Sequence, residues 1–318
     1  MRAAVLQRDG VDGIAVRDEV STVDVTDVLV RARVRAAGVC RSDLSAATGR
    51  LGLTPPVVLG HEAAGEVPAV GPAAGGVEAG GVEVGDRVMV SWVPQCGGCA
   101  ACRRGQPELC GYGARPEYRR PRFVVDGAPV AAQAGCGAFA EEIVVTRHNP
   151  VPLPDGVPFG IGALVSCGVA TGVGAVRNTA APAAGSSAVV IGCGGVGMAV
   201  VQAARAAGAS AVPAVDPVAA KREPAVELGA TDAVPPAGPA AAVVPFTARE
   251  LYASGRRLVG SVFGSGDVRR DFPRVIESWR AGELRLERLI NDRIGLADVP
   301  AALEALRAGS APRSVVVL

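Results

Sequence analysis

The chain has 318 residues, 49% hydrophobic and 20% charged, a length at which two globular domains are the natural division. A formal net charge of +1 excludes the basic bias that would favour nucleic acid or anionic membranes as partners. No apolar run of membrane-spanning length is expected, and Met1-Arg2-Ala3-Ala4-Val5-Leu6 lacks the long apolar stretch of a secretory signal, so the expected location is cytoplasmic.

In chain order, the first 150 residues read as β. Short β-branched runs recur at 28–34, 57–59, 65–67, 86–90 and 142–145, separated by Gly, Pro and Asp, which is the texture of a barrel or sandwich. Residues 71–85 are rich in Gly and Ala with a near-repeat and read as a mobile surface loop. The texture then changes. Ala188-Val189-Val190-Ile191-Gly192 reads as a buried parallel strand, followed by a Gly-rich turn and an Ala-rich helix from about 196 to 207. Residues 211–216 read as a second strand, although Pro213 sits awkwardly in it, and 221–228 as a helix interrupted by Pro224. Together these make a βαβ unit. Residues 272–281 and 298–308 read as helices, and 314–318 as a terminal strand.

Of the eight cysteines, four crowd into Cys96-Gly97-Gly98-Cys99-Ala100-Ala101-Cys102 and Cys110. In a reducing compartment, clustered cysteines point to metal or catalysis rather than disulfides. Two-residue gaps let backbone turns aim successive sulfurs at one point, and four thiolates close a tetrahedral Zn²⁺ shell with no open position, a structural site. Free buried cysteines or an iron–sulfur cluster are the alternatives.

A second set is dispersed: Cys40-Arg41-Ser42-Asp43, Gly60-His61-Glu62 and Ser166-Cys167-Gly168. Singly each is weak, because a lone His is more often a core residue and a lone Glu a solvated charge. Combined, two Cys and one His form a three-ligand zinc site that keeps a fourth position for a substrate oxygen. The metal lowers an alcohol's pKa toward neutrality. Ser42 is placed to relay the proton and Asp43 to orient His61.

Gly192, Gly194 and Gly197 form G-x-G-x-x-G in Ile191-Gly192-Cys193-Gly194-Gly195-Val196-Gly197, after a strand and at the start of a helix. Asp216, 19 residues beyond Gly197, would take ribose hydroxyls and repel a 2′-phosphate, favouring NAD over NADP. A tight strand–helix turn without ligand is the alternative.

Together, Gly38-Val39-Cys40-Arg41-Ser42-Asp43, Leu59-Gly60-His61-Glu62, Pro94-Gln95-Cys96-Gly97-Gly98-Cys99 and the glycine turn resemble the zinc-dependent medium-chain alcohol dehydrogenases over nearly the whole chain. The resemblance implies a GroES-like β-barrel catalytic domain (1–167 and 266–318), an α/β Rossmann NAD-binding domain (168–265) and an active site between them. It implies two zinc ions per chain, one structural and one held by Cys40, His61 and Cys167, with Glu62 able to approach the metal. It implies pyrophosphate contacts from Arg41 and Arg313, backbone contacts from Gly192, Gly194, Gly195, Val196 and Gly197, and a ribose pair, Asp216 and Lys221, the chain's only Lys. Ser42 and Trp92 would line the substrate pocket. Ser45 stands where some relatives carry a relay His. Phe246-Thr247-Ala248-Arg249-Glu250-Leu251 and Gly260-Ser261-Val262-Phe263-Gly264-Ser265-Gly266 resemble the branch containing formaldehyde-thiol-adduct and aromatic alcohol dehydrogenases. Relatives assemble as homodimers or homotetramers through the Rossmann sheet edge. His148, Cys136 and Cys193 match nothing catalytic.

The Rossmann half is short. After Asp216 a doubly wound sheet still needs roughly 80 residues at ordinary element lengths, whereas 43 lie between Asp216 and Gly260, and 234–244 is mostly Pro, Ala and Gly. An incomplete gene model or natural deletion, a degenerate paralogue, or a smaller sheet closed by neighbouring elements would each account for it. The functional expectation is hydride transfer from a primary alcohol, or a formaldehyde–thiol adduct, to NAD⁺. The alternatives are a non-catalytic zinc protein with impaired cofactor binding and a zinc-free quinone reductase, the latter disfavoured by the full ligand set.

Overall fold

In the longest strand, Leu29–Gly38, arginines alternate with Val30, Ala32 and Val34, and those three are buried while the arginines are not. That period of two is what a pleated strand with one face on a core requires. The structure, a computed structural model, describes residues 1–75, 81–237, 257–309 and 313–318. They divide into Met1–Ala170 with Gly266–Leu318, and Thr171–Ser265.

The strands are β1 (Ala3–Leu6), β2 (Ile14–Arg17), β3 (Val20–Thr22), β4 (Leu29–Gly38), β5 (Val57–Val58), β6 (Glu62–Val70), β7 (Arg87–Val90), β8 (Phe123–Val125), β9 (Ala128–Ala132), β10 (Glu142–Thr146) and β11 (Pro150–Pro152), then β12 (Val190–Ile191), β13 (Pro213–Val215), β14 (Asp232–Val234), β15 (Asp292–Ile294) and β16 (Ser314–Val317). In the larger unit, one sheet runs β2-β1-β5-β9-β8-β3 and the other β11-β7-β6-β4-β16-β15, with β10 also paired to β4. Leu6, Val58 and Phe123 from the first sheet and Val34, Val67 and Ile143 from the second share one apolar core. Each such side chain stabilises the fold by roughly 1.5–3 kcal/mol when fully buried. Two pairings matter for the site. β16 runs antiparallel to β4, with Val315 opposite Gly38, and β5 runs parallel to β9, with Val58 opposite Ala132.

The helix that carries Cys167, Phe159–Ala180, is 22 residues long and apolar enough to cross a membrane by length and composition. This corrects the expectation that no apolar run reaches that length. Most of it is buried protein core, and a helix apolar all round lacks the one-sided 3.6-residue pattern by which a surface helix is read.

In the smaller unit, β12, β13 and β14 form a parallel sheet in that order, joined by helices Gly195–Ala206 and Ala219–Glu227. Pro213 opens β13, a position that spares the ladder a donor, and Pro224 lies inside the second helix. β12 is shorter than the run 188–192 suggests, and Val189 and Ile191 are 64% and 84% exposed rather than buried. Among the described residues β12 is an edge strand, whereas the first strand of a doubly wound sheet is interior. Val234 closes β14, so the stretch 234–244 begins in a strand; residues 238–244, and Phe246 to Leu251, lie outside the described residues.

Candidate functional site

Cys40 is the N-cap of helix Arg41–Ala47, extended at φ −122°, which turns its side chain off the end of the helix. Asp43, fully buried, accepts from the Cys40 N–H at 2.8 Å through Oδ2 and bonds His61 Nδ1 at 2.7 Å through Oδ1. That contact holds the Nδ1–H tautomer and leaves Nε2 for a metal. His61 precedes β6, and Gly60 before it takes φ +94°, with a Cβ there falling 2.5 Å from the Phe139 amide nitrogen. Only glycine fits that turn. Cys167 comes from the buried helix, where Val165–Val169 widens to π geometry, a distortion frequent at functional sites. One ligand atom each from Cys40, His61, Glu62 and Cys167 lies within 4.8 Å of all the others.

The Glu62 carboxyl is fully buried. Oε2 is ion-paired to Arg313, itself buried, and Oε1 accepts from the Gly168 N–H at 3.2 Å. Burial drives this carboxyl up to about 7 against the pull of Arg313. A hydrogen bond between the Cys40 and Cys167 sulfurs pulls Cys40 well below, and pushes Cys167 well above, the usual thiol range. A buried set of two cysteine sulfurs, an imidazole and a carboxyl group has the donor chemistry of a zinc site.

In the cysteine cluster, Cys99–Cys102 and Cys96–Cys110 sulfurs are 3.5 Å apart and Cys99–Cys110 3.8 Å. Four sulfurs about 2.3 Å from one tetrahedral zinc ion would be about 3.8 Å apart. Disulfides need about 2.05 Å, and all eight cysteines are free. The spacing therefore fits a closed structural zinc site.

In the smaller unit the glycine turn joins β12 to helix Gly195–Ala206, whose N-cap is Gly194. A Cβ on Gly192 or Gly194 would meet nothing within 4 Å, while one on Gly197 would fall 1.7 Å from the Gly192 carbonyl oxygen. The first two leave room for a pyrophosphate over the helix N-terminus and the third lets helix and turn pack. Asp216, at the end of β13, accepts from the Cys193 N–H and the Val218 N–H, both at 2.8 Å, so its carboxylate is fixed beside the turn. Lys221 is close enough for its charge, opposing that of Asp216, to act on the buried Cys193 thiol. Gly195 and Val196 form the first turn of the helix.

The remaining expected residues distribute as follows. Ser42 is half-buried, its Oγ 3.9 Å from Cys40 Sγ. Trp92 meets the His61 ring edge-on at 6.4 Å between centroids. Arg41 is exposed and donates to the Leu306 carbonyl. Arg313, read as a pyrophosphate contact, is engaged with Glu62. Ser45 is half-buried on the same helix as Ser42, and His148 packs on Tyr112 at 4.7 Å. Sequence reading missed the Glu62–Arg313 pair and Gln133, which bonds both Asp43 and Gly60. Both arise from strand pairings with no local motif.

The model of the alcohol dehydrogenase GroES-like domain matches residues 25–155. The NDMA-dependent alcohol dehydrogenase of Amycolatopsis methanolica is 32% identical over 338 positions, covering 89% of this chain and 90% of its own. The S-(hydroxymethyl)glutathione dehydrogenase of Synechocystis is 31% identical with 99% of both chains covered. That alignment runs to 373 positions against 318 residues here, so the relative carries internal residues that this chain lacks. Among solved structures, an alcohol dehydrogenase zinc-binding domain protein from Burkholderia ambifaria superposes with a TM-score of 0.89 at 26% identity, covering 100% of this chain and 98% of the other. With its GroES-like domain and a shortened Rossmann domain, this chain belongs to the zinc-dependent medium-chain alcohol dehydrogenase family.

Proposed function

We propose that the protein oxidises a primary alcohol, or a formaldehyde–thiol adduct, by hydride transfer to NAD⁺. The observation that carries this reading is the convergence of Cys40, His61 and Cys167 ligand atoms within 4.8 Å. Zinc held there supplies a Lewis acid that lowers the pKa of an alcohol hydroxyl. The chain's own residues do the rest. Asp43 fixes the tautomer of His61, Ser42 takes the substrate proton outward from its half-buried position, and Trp92 bounds the space beside His61. Asp216 and Lys221 would hold the adenosine ribose, and the fixed carboxylate disfavours a 2′-phosphate. Relatives named alcohol dehydrogenase and S-(hydroxymethyl)glutathione dehydrogenase support the substrate class.

One observation favours a second reading, a non-catalytic zinc-binding paralogue with impaired cofactor binding: among the described residues β12 is an edge strand, with Ile191 84% exposed, where a full Rossmann sheet would continue. Zinc stoichiometry, a panel of alcohols followed by NADH absorbance, and NADH fluorescence titration separate the two. About two zinc ions per chain with alcohol-dependent NADH formation supports the enzyme. Two zinc ions with no turnover and weak NADH binding supports the paralogue, and ordinary micromolar NADH binding removes the case for cofactor impairment.

A further inference from the structure

We propose that Gln133 is a positioning residue of the Cys40–His61–Cys167 metal site, locking the Asp43–His61 pair and the backbone before His61 in one piece. The inference rests on the reading of those three residues as metal ligands. Parallel pairing of β5 with β9 sets Val58 opposite Ala132, so the next residue, Gln133, runs alongside the chain leading to His61. There it is buried, 3% exposed. Its Oε1 accepts from the Gly60 N–H at 2.9 Å and its Nε2 donates to Asp43 Oδ1 at 2.9 Å, with Nε2 also 3.4 Å from His61 Nδ1. The Gly60 donor fixes which end of the amide is oxygen, so the NH₂ must face Asp43.

The chemistry of the position requires an amide. Asp43 Oδ1 takes His61 and Gln133 while Oδ2 takes the Cys40 N–H, so one buried carboxyl group is the acceptor of three hydrogen bonds. With its donors arranged in this way, Asp43 Oδ1 is held as the acceptor for His61 Nδ1–H, which orients the ring and leaves Nε2 for the metal. A Glu side chain at 133 could still accept from Gly60 but would set an acceptor oxygen against Asp43 Oδ1 in place of the amide donor. An aliphatic side chain would leave the Gly60 N–H unpaired and the Asp43 carboxyl group one donor short. The turn itself is pinned from behind: the Tyr118 hydroxyl donates to the Ala134 carbonyl at 2.9 Å, and its ring packs on Gly135.

The test compares zinc affinity at the two sites, by chelator competition on the whole protein, in wild type, Gln133→Glu and Gln133→Leu. Gln133→Glu preserves the acceptor for Gly60 and so keeps a folded control where Gln133→Leu fails to fold. The expected result is a 10- to 100-fold loss of affinity at the Cys40–His61–Cys167 site with the four-cysteine site unchanged. A general packing defect would instead lower melting temperature and weaken both sites alike, and that result overturns the proposal. So does wild-type affinity at both sites in Gln133→Glu. If wild type loses no zinc when Cys40 is replaced by Ala, the ligand assignment itself fails and the proposal falls with it; if wild type loses one zinc on that change while Gln133→Glu loses no affinity, only the role of Gln133 is refuted.

Discussion

Replacing Gly60 by Ala tests how the fold delivers His61. The residue takes φ +94°, and a non-glycine residue held there costs about 1–3 kcal/mol in strain. The added Cβ would also fall 2.5 Å from the Phe139 nitrogen and 2.9 Å from the Ala138 carbonyl carbon, both backbone, so no flexible side chain can yield. One of the two segments must retreat. They are tied by Ala138 N–H to the Gly60 carbonyl at 2.9 Å and Phe139 N–H to the Leu59 carbonyl at 2.8 Å, while the Gly60 N–H goes to Gln133. Breaking one buried bond adds about 1–3 kcal/mol. The total is roughly 2–6 kcal/mol, a fall on the order of 5–20 °C in melting temperature for a unit of this size. Because the strained residue adjoins His61, a protein that holds the proposed two zinc ions per chain should drop to about one. Thermal unfolding followed by circular dichroism, with zinc measured by mass spectrometry, reads both. A Gly60→Ala protein melting within about 2 °C of wild type and holding two zinc ions would refute the argument, since neither the strain nor the collision would then exist.

Replacing Cys40 by Ala removes a ligand from the site that carries the proposed chemistry; it should abolish alcohol-dependent NADH formation and release one zinc, and full activity would reject the mechanism. Burial, with help from Arg147, lowers His148 from the usual 6.5 to about 4, so the folded protein favours the neutral ring. The unfolded chain therefore binds more protons between these values, and the contribution is whole above pH 6.5 and lost as pH falls toward 4. Partial exposure to solvent reduces that loss to roughly 1–3 kcal/mol. His148→Phe keeps a ring against Tyr112 but cannot titrate, so its denaturant midpoint should fall less steeply over that window; parallel pH profiles would count against this. Ile191→Lys, at an 84% exposed position, should change stability by no more than about 0.5 kcal/mol. A large loss in chemical denaturation would mean that β12 is covered in solution.

What could be read in the sequence was what one short segment contains. The four-cysteine spacing and the glycine turn each close over a handful of residues, so spacing alone states the chemistry, and the structure sets those sulfurs 3.5–3.8 Å apart. The Cys40, His61 and Cys167 set is harder, because each residue is ordinary by itself and only the combination has meaning. Its assembly depends on a helix cap, a left-handed glycine and a π-widened buried helix, and the last had no amphipathic pattern to announce it. Gln133 and Arg313 were harder still. Gln133 stands 72 residues from His61 and reaches it only because β5 and β9 pair in parallel at one register. Arg313 stands 251 residues from Glu62 and reaches it because β16 lies against β4. A register shift of one residue in either pairing would turn these side chains to the opposite face. The ligands thus follow from residue type, whereas the groups that orient them follow from strand register, a property of the whole sheet that no local window of sequence contains.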